Sequence, residues 1–180
     1  KKGDVPLTES DCEAIIQVYK RDGLDGISAL NGMFAFALLD KSKNRVVLAR
    51  DRLGIKPLYF AQAEGSFYFA SEIKALLALM PKTPSVGAEA VTQFLQNQFS
   101  TGRDTIFEGI HRVLPGECVT VCTKSQKLEF SRYWQPESIQ PRRCDMQTAQ
   151  AEFEQLFEQV MVEHMRSDVP FGLFLSGGID

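Results

Sequence analysis

The feature that most constrains the fold is a series of short strand-like runs that are joined in pairs by polar turns. The three pairs are residues 33–39 and 45–50, residues 58–61 and 66–70 around Gly65, and residues 117–121 and 127–130. Each run is too short for most helices, and a short turn between two such runs predicts an antiparallel hairpin. Because residues 33–39 are apolar without interruption, we expect that strand to be buried on both faces.

Helices are expected between the hairpins. Residues 10–13 read Ser-Asp-Cys-Glu, which has the form of a capping box, and apolar residues then recur at helical spacing to about Lys20. We expect Ser71 to cap a second helix that runs to Met80, and we expect a third helix over residues 88–98. Hairpins together with helices predict an α+β domain.

The composition changes in the last quarter of the sequence. Residues 136–145 carry prolines and arginines, as an exposed linker does. Residues 148–165 place apolar side chains at helical spacing, and residues 172–175 have the pattern of a short buried strand. A helix followed by a strand and a glycine pair predicts the start of an α/β domain. We therefore expect one domain over residues 1–135, then the linker, and a second domain over residues 146–180.

The sharpest local motif is Ser176-Gly177-Gly178-Ile179-Asp180, which follows the last predicted strand. Two adjacent glycines let a backbone approach a ligand closely and turn its N–H groups toward it. If a helix follows, its N-terminus adds to a cradle for phosphate. The hydroxyl of Ser176 would then donate to the phosphates, and Asp180 would hold a magnesium ion beside them. A simple glycine turn fits these five residues equally well, so the motif alone leaves both interpretations open.

Composition argues against other classes of protein. The net charge is −3, whereas a surface that binds nucleic acid usually needs a clear basic excess. No apolar run approaches the roughly 20 residues of a membrane-spanning helix, and the start of the sequence lacks the apolar segment of a signal peptide. We therefore expect neither a nucleic-acid nor a membrane partner. Both ends of the sequence look truncated, since it lacks an initial Met and stops inside a motif.

The four cysteines match no zinc or redox motif in their spacing. Cys118 and Cys122 lie four residues apart in a predicted strand, so we expect them to share one face of it as small apolar side chains. Free cysteines are typical of a reducing compartment, and we expect the protein to be cytoplasmic.

Five segments resemble the glutamine-hydrolysing asparagine synthetase family, in the order in which the family carries them. They are residues 30–36 (LNGMFAF), 50–60 (RDRLGIKPLYF), 70–76 (ASEIKAL), 113–117 (VLPGE) and 168–180 (DVPFGLFLSGGID). The resemblance spans essentially the whole chain. It implies a partial N-terminal-nucleophile (Ntn) hydrolase-type αββα sandwich, followed by the start of an α/β ATP-pyrophosphatase domain of the adenine nucleotide alpha hydrolase-like type.

The resemblance also implies an activity, that of an ATP-dependent ligase. In the family, the thiolate of an N-terminal Cys attacks the side-chain amide of glutamine and releases ammonia through an acyl-enzyme. The second domain forms β-aspartyl-AMP from aspartate and ATP with Mg²⁺, and ammonia then displaces AMP. The implied small-molecule partners are glutamine, aspartate and ATP, the implied cofactors are ATP and Mg²⁺, and the chain is a candidate for a homodimer.

Few site residues of the family transfer to this sequence. Asp11 matches the glutamine-binding carboxylate that pairs with the ammonium group of the substrate; alternatively, it is a first-turn carboxylate that the helix dipole favours. The expected ATP-binding residues are Leu175, Ser176, Gly177, Gly178 and Asp180, and Asp180 is also the expected Mg²⁺ ligand. None of the four cysteines can act as the nucleophile, which needs a free α-amino group beside the thiol. We therefore expect no catalytic residue within this sequence.

Arg50 and Asp51 open the longest segment of the glutaminase half that carries the resemblance. Their prominence makes a catalytic role one interpretation. We favour a structural role, in which the two side chains form an ion pair that organises the loop that follows.

Two other functions remain open, because the residues that recognise the acceptor are expected beyond Asp180. One is the same architecture acting on another carboxylate, such as a sugar acid in polysaccharide biosynthesis. The other is a non-catalytic or β-lactam-forming relative that has lost the glutaminase nucleophile.

Overall fold

The computed structural model describes residue 8, residues 10–174 and residues 176–177. The chain divides into two compact units, residues 1–139 and residues 140–180. In its described part, the first unit contains two antiparallel sheets, of order β1-β2-β6-β7 and β4-β3-β5. The strands are β1 (Ala35–Asp40), β2 (Arg45–Arg50), β3 (Tyr59–Ala63), β4 (Ser66–Ala70), β5 (Ile110–Arg112), β6 (Glu117–Cys122) and β7 (Leu128–Arg132).

The three predicted hairpins are confirmed. β1 pairs with β2 from Ala35 opposite Arg50 onward, and β3–β4 and β6–β7 pair in the same antiparallel manner. The β3–β4 turn consists of Glu64 and Gly65, which both have positive φ, as a type I′ turn requires. The sequence does not predict β5, because three residues are too few to show an alternation of apolar and polar side chains.

The helices of the described chain are α1 (Asp11–Asp22), α2 (Ile73–Leu79), α3 (Ala88–Asn97) and α4 (Met146–His164), with short 3₁₀ helices at Asp25–Ala29 and Pro136–Ser138. α1 and α3 match the predicted helices to within about two residues at their ends. The prediction that Ser71 caps α2 is wrong. The residue that precedes the first turn is Glu72, which makes no capping hydrogen bond, so the helix begins one residue too late for Ser71 to cap it.

Successive side chains of a strand point to opposite sides of its sheet, and this alternation builds four layers. Leu48 and Phe60 meet in a core between the two sheets. On the outer face of the first sheet, Val47 packs in a second core with side chains from the helical segment of residues 19–30. On the outer face of the second sheet, Leu76 of α2 packs against β3 and β5. The order helix, sheet, sheet, helix confirms the expected α+β sandwich.

β1 is not buried on both faces, contrary to the expectation. Leu39 is 56% exposed, and Met33, just before the strand, is 46% exposed. β1 lies at the edge of the first sheet, with β2 on one side only. An apolar run can form an edge strand as well as a central one, so the run alone does not determine how deeply the strand is buried.

The second unit contains α4, which confirms the helix predicted over residues 148–165. Asp145 caps it, because its side chain accepts a hydrogen bond from the Thr148 N–H at 2.9 Å. The predicted strand at residues 172–175 is wrong for its described part: residues 172–174 form no strand, and Leu173 is 65% exposed. A strand needs a neighbour to pair with, and the described residues of this unit form none. No described helix is long and apolar enough to cross a membrane.

All four cysteines are free thiols. Cys118 is 1% exposed in the core on the outer face of the first sheet, which confirms its role as a small apolar side chain. Burial raises the pKa of the Cys118 thiol to about 12. Cys122 lies at the end of β6 and is only half-buried, and a hydrogen bond with the Ser125 side chain lowers the pKa of its thiol.

Candidate functional site

The first turn of α1 is held by side chains on either side of Asp11. Ser10 Oγ accepts a hydrogen bond from the Cys12 N–H at 3.3 Å, so Ser10 is the cap that the sequence predicts. The Glu13 carboxylate does not close the expected box on Ser10. It accepts hydrogen bonds from the backbone N–H and the hydroxyl of Thr8, both at 2.6 Å. The end of the helix is therefore stabilised without Asp11.

Asp11 itself is exposed at this helix end. Its carboxylate makes no hydrogen bond or ion pair with the residues that the structure describes. A carboxylate in the first turn still gains from the helix dipole, an effect of about 0.3–1 kcal/mol. The geometry therefore leaves the carboxylate oxygens of Asp11 available to a cation from solution.

An open cavity of about 730 Å³ lies between α1 and the edge strand β1. Its α1 wall is a stripe at helical spacing, and its other wall is β1 with the turn that follows it. The lining residues are Cys12, Ile15, Ile16, Tyr19, Lys20, Phe36, Ala37, Leu38, Leu39, Asp40, Lys41, Ser42 and Lys43. The cavity therefore runs along one face of α1, from Cys12 in the first turn to Lys20 near the end of the helix.

A polar cluster of Tyr19, Asp40 and Arg45 attaches α1 to the β1–β2 hairpin. The Tyr19 hydroxyl donates to Asp40 Oδ2 at 2.8 Å, and it accepts from Arg45 Nε at 2.9 Å and Nη2 at 2.6 Å. Hydrogen bonds from Ser42 and then from Tyr19 lower the pKa of Asp40 to about 2. The sequence predicts Tyr19 only as an apolar helix position, and it gives no signal for this cluster.

The Arg50 side chain binds the backbone of the loop that follows it. Its guanidinium donates to the carbonyl oxygens of Gly54 at 2.6 Å, Lys56 at 2.8 Å and Val113 at 2.8 Å. Burial lowers the pKa of the Arg50 guanidinium. Because its hydrogen bonds go to backbone carbonyls, Arg50 connects its own loop to Val113, the residue that directly follows β5.

The negatively charged Asp51 side chain also binds the backbone of this loop. It is 1% exposed, and its carboxylate accepts hydrogen bonds from the N–H groups of Leu53 at 3.2 Å and of Ile55 and Lys56 at 3.0 Å each. The predicted Arg50–Asp51 ion pair is wrong, since neither side chain contacts the other within ion-pair distance in the described structure. The predicted role is right: each charge satisfies backbone groups that a tight buried loop would otherwise leave unpaired.

The segment of residues 113–117 is also structural. Glu117 is 2% exposed, and its carboxylate pairs with the Arg103 guanidinium and accepts from the Leu114 N–H at 2.9 Å. Gly116 has φ +66°, and a Cβ there would collide with the Trp134 carbonyl oxygen. Only glycine fits this close approach.

The glycine loop lies partly within the described chain. Gly177 has φ +77°, and no described atom lies within 4 Å of the position that a Cβ would occupy. Both Ser176 and Gly177 are exposed. The other predicted ATP-binding residues, Leu175, Gly178 and Asp180, lie outside the described residues. Among the described residues, no cluster of three or more His, Cys, Asp or Glu side chains could hold a metal ion.

Comparison with known families decides the affiliation of the chain. A model of the glutamine amidotransferase domain matches residues 1–134, and a model of asparagine synthase matches residues 152–180. The chain belongs to the glutamine amidotransferase domain family. The glutamine amidotransferase match covers the αββα unit, and the asparagine synthase match covers most of α4 and the glycine loop. The family predicted from the five segments is confirmed.

The curated relatives of this amidotransferase chain carry two kinds of name. "Amidase chyE" of Penicillium rubens is 36% identical over 95% of the chain, and "Asparagine synthetase [glutamine-hydrolyzing] 3" of Bacillus subtilis is 35% identical over 95%. A putative asparagine synthetase of Methanocaldococcus jannaschii is 30% identical over 96%. The chain spans 25%, 28% and 34% of the length of these relatives, respectively.

The fold of the chain is also similar to part of a solved structure. The glutamine phosphoribosylpyrophosphate amidotransferase of B. subtilis aligns with 73% of the chain and 24% of its own length. The sequence identity is 21% and the TM-score is 0.48.

Proposed function

We propose that this chain belongs to a glutamine-dependent asparagine synthetase, which amidates aspartate through β-aspartyl-AMP with ammonia from glutamine. The observation that carries the proposal is the succession of two families on one chain, a glutamine amidotransferase over residues 1–134 and an asparagine synthase over residues 152–180. The first family supplies ammonia, and the second consumes it with ATP.

In the glutaminase half, Asp11 receives the α-ammonium group of glutamine. Three features support this assignment: the carboxylate is exposed, Ser10 already caps the helix, and no described side chain neutralises the charge of Asp11. A thiolate nucleophile then attacks the carbon of the side-chain amide, and the C–N bond breaks as the thioester forms, so that ammonia leaves with a proton and water later hydrolyses the thioester to glutamate. Asp11 orients the substrate in this step and takes no part in the covalent chemistry.

In the synthetase half, the loop of residues 175–180 binds the phosphates of ATP. Gly177 supports this role, because its positive φ and the open space around it allow backbone N–H groups to face a phosphate. The hydroxyl of Ser176 donates to the same phosphates. Mg²⁺, held by Asp180, would neutralise the charge of the departing pyrophosphate.

We assign the glutaminase domain to residues 1–135, the linker to residues 136–145 and the start of the synthetase domain to residues 146–180. The boundary of the compact units after Ile139 supports the linker. The free thiols of all four cysteines fit a reducing compartment, and we place the protein in the cytoplasm.

A second acceptor class is favoured by one observation: the amidase of P. rubens is as similar to the chain as the asparagine synthetases are. The alternative protein keeps the glutaminase and the ATP chemistry and amidates a carboxylate other than that of aspartate. A substrate assay distinguishes the two.

The test uses the full-length protein with ATP, Mg²⁺, aspartate, and either glutamine or an ammonium salt. We expect asparagine and pyrophosphate with both nitrogen donors. Pyrophosphate release with another carboxylic acid but not with aspartate would select the alternative acceptor. The absence of pyrophosphate release with every carboxylate tested would contradict both.

Asp180→Ala tests the synthetase site separately. Losing a metal ligand removes several kcal/mol of charge stabilisation, so synthesis should fall at least ~10³-fold with either nitrogen donor. Glutamine hydrolysis, which does not use this metal, should persist. A folded variant that keeps more than about a tenth of the synthetic rate would leave Asp180 only the role of a helix cap, which is worth ~1 kcal/mol.

A further inference from the structure

α1 is anchored to the first sheet at one end. It has no buried residue, and Tyr19, in its last two turns, is the α1 side chain that packs into the core beside Val47. The cavity of about 730 Å³ between α1 and β1 extends from Cys12 to Lys20, and the side chains of Cys12, Ile15 and Ile16 line it and do not pack into that core. Asp11 lies at the free end and Tyr19 at the anchored end.

The anchor is polar and fixes the Tyr19 ring from two sides. Asp40 Oδ2 accepts a hydrogen bond from the Tyr19 hydroxyl, and the Arg45 guanidinium donates two hydrogen bonds to the hydroxyl oxygen. The guanidinium carbon of Arg45 also lies 5.6 Å from the centroid of the Tyr19 ring. The side chains of Asp40 and Arg45 are only 9% and 21% exposed, so water competes little for these contacts. These contacts hold both the position and the orientation of the Tyr19 ring relative to the β1–β2 hairpin.

A second contact holds the same end of α1. The 3₁₀ helix at Asp25–Ala29 packs against α1 so closely that a Cβ on Gly26 would lie 2.7 Å from the Val18 carbonyl oxygen. Val18 is adjacent to Tyr19, so both contacts act on one turn of the helix. Among the described residues, the first turn makes hydrogen bonds with Thr8 and Ser10, and neither of these residues belongs to the sheet.

The distance between the two ends turns a small tilt into a large displacement. Eight residues separate Asp11 from Tyr19, which is about 12 Å along a helix at 1.5 Å per residue. A tilt of about 5° at Tyr19 therefore moves the Asp11 carboxylate by about 1 Å. A misplacement of about 1 Å in a group that positions a substrate can lower its efficiency by about 100-fold.

We propose that Tyr19, held between Asp40 and Arg45, is a positioning residue for glutamine, because it sets where the Asp11 carboxylate meets the α-ammonium group of the substrate. The inference rests on the proposed glutamine-binding role of Asp11. Tyr19 acts through the helix and does not touch the substrate.

The principal test is Tyr19→Phe in the full-length protein, which removes the hydroxyl and keeps the ring in the core. We expect KM for glutamine to rise about 10- to 100-fold, kcat to change less than about threefold, and ammonia-dependent synthesis to stay at the wild-type rate. The control is Tyr133→Phe, which also removes a partly buried hydroxyl, one that donates to the Arg50 carbonyl oxygen at 2.6 Å. Because Tyr133 is not part of α1, we expect the Tyr133→Phe variant to keep the wild-type KM for glutamine. Equal effects of the two variants on KM would overturn the proposal.

A double-mutant cycle with Asp11→Asn separates this inference from the proposed function. If Tyr19 acts through Asp11, adding Tyr19→Phe to Asp11→Asn changes KM for glutamine no further. Glutaramate, which is glutamine without its α-amino group, should be hydrolysed equally by wild type and Tyr19→Phe. Independent, additive effects of the two substitutions would overturn the role of Tyr19 and leave that of Asp11 intact. A normal KM in Asp11→Asn would instead overturn the glutamine-binding role itself.

Discussion

The loop of residues 50–56 and the first turn of α1 both belong to sequence segments shared with the asparagine synthetases, yet they use charge in opposite ways. In the loop, Arg50 and Asp51 are buried and direct their hydrogen bonds to the backbone of their own loop and its neighbour. In the first turn of α1, Asp11 is exposed and the helix end is satisfied without it. A buried charge is costly unless its hydrogen bonds are made, and once they are made it has little left for a substrate. Arg50 and Asp51 therefore stabilise their own loop, whereas the unused carboxylate of Asp11 is the observation on which its proposed role in glutamine binding rests.

Asp51→Ala should have the largest effect on stability. It leaves the N–H groups of Leu53, Ile55 and Lys56 without their acceptor. It also removes the negative charge next to the buried Arg50 guanidinium. We expect the two effects together to lower the free energy of unfolding by about 3–5 kcal/mol. Urea unfolding measures this cost. Asp11→Ala is the matched control, and it should cost no more than about 1 kcal/mol, the contribution of the helix dipole. If the two variants lost similar amounts of unfolding free energy, Asp51 would stabilise the fold no more than Asp11 does, and the loop and the helix would not differ in their use of charge.

Asp11→Asn should have the largest effect on glutamine use. Leaving the substrate ammonium without its partner costs about 2–5 kcal/mol, so kcat/KM for glutamine should fall at least ~30-fold. Ammonia-dependent synthesis should stay nearly intact, because ammonia needs no such anchor. Glu89→Gln is the control, since Glu89 is an exposed carboxylate in the first turn of α3. If both nitrogen donors lost activity equally in Asp11→Asn, Asp11 would be structural.

Gly54→Ala tests how tightly the loop is packed. Gly54 has φ +66°, and a Cβ there would lie 2.8 Å from Pro115 Cγ and 3.1 Å from Arg50 Cζ. We expect a loss of about 2–4 kcal/mol, which combines backbone strain with overpacking. Gly65→Ala is the control, because Gly65 has φ +73° but no non-neighbouring atom of the described residues within 4 Å of its Cβ position, so only the strain of about 1–2 kcal/mol applies. Equal losses would mean that the loop has room for a methyl group.

The sequence predicts local structure better than it predicts contacts between distant residues. The hairpins follow from short apolar runs and their turns, and Ser10 follows from its place before a helical pattern. The position of β1 at a sheet edge does not follow, because the order of strands depends on which hairpins pair with each other. The role of Asp51 in its loop could be predicted, but its bonding to N–H groups depends on how the loop turns. The glutamine-binding role of Asp11 stays a prediction, which rests on the resemblance to the family and on no contact within the described chain.

The cluster that anchors α1 could not be predicted for a physical reason. Tyr19 lies 21 residues from Asp40 and 26 residues from Arg45, and each has an ordinary function in its own element. Tyr19 fits an apolar helix position, Asp40 fits a turn, and Arg45 fits the start of the strand that follows this turn. Only the packing of α1 over the hairpin brings the hydroxyl, carboxylate and guanidinium together.

The anchor of α1 should also be more sensitive to acid than an apolar contact, which gives the smallest effect expected. The pKa of Asp40 lies at about 2 in the folded protein, below its ordinary value of 3.8, because Ser42 and then Tyr19 donate hydrogen bonds to the carboxylate. A lowered folded pKa contributes stability that is fully present above about pH 4 and is lost as the pH falls toward 2. Urea unfolding of wild type and Asp40→Asn between pH 5 and pH 2 measures the difference, and we expect wild type to lose its advantage over this range. Ser42→Ala should reduce the pH dependence more than Tyr19→Phe does, since the Ser42 hydrogen bond is the larger cause. If the difference between wild type and Asp40→Asn were the same at every pH in this range, Asp40 would not be the ionised acceptor of the Tyr19 hydroxyl, and α1 would be held by packing alone.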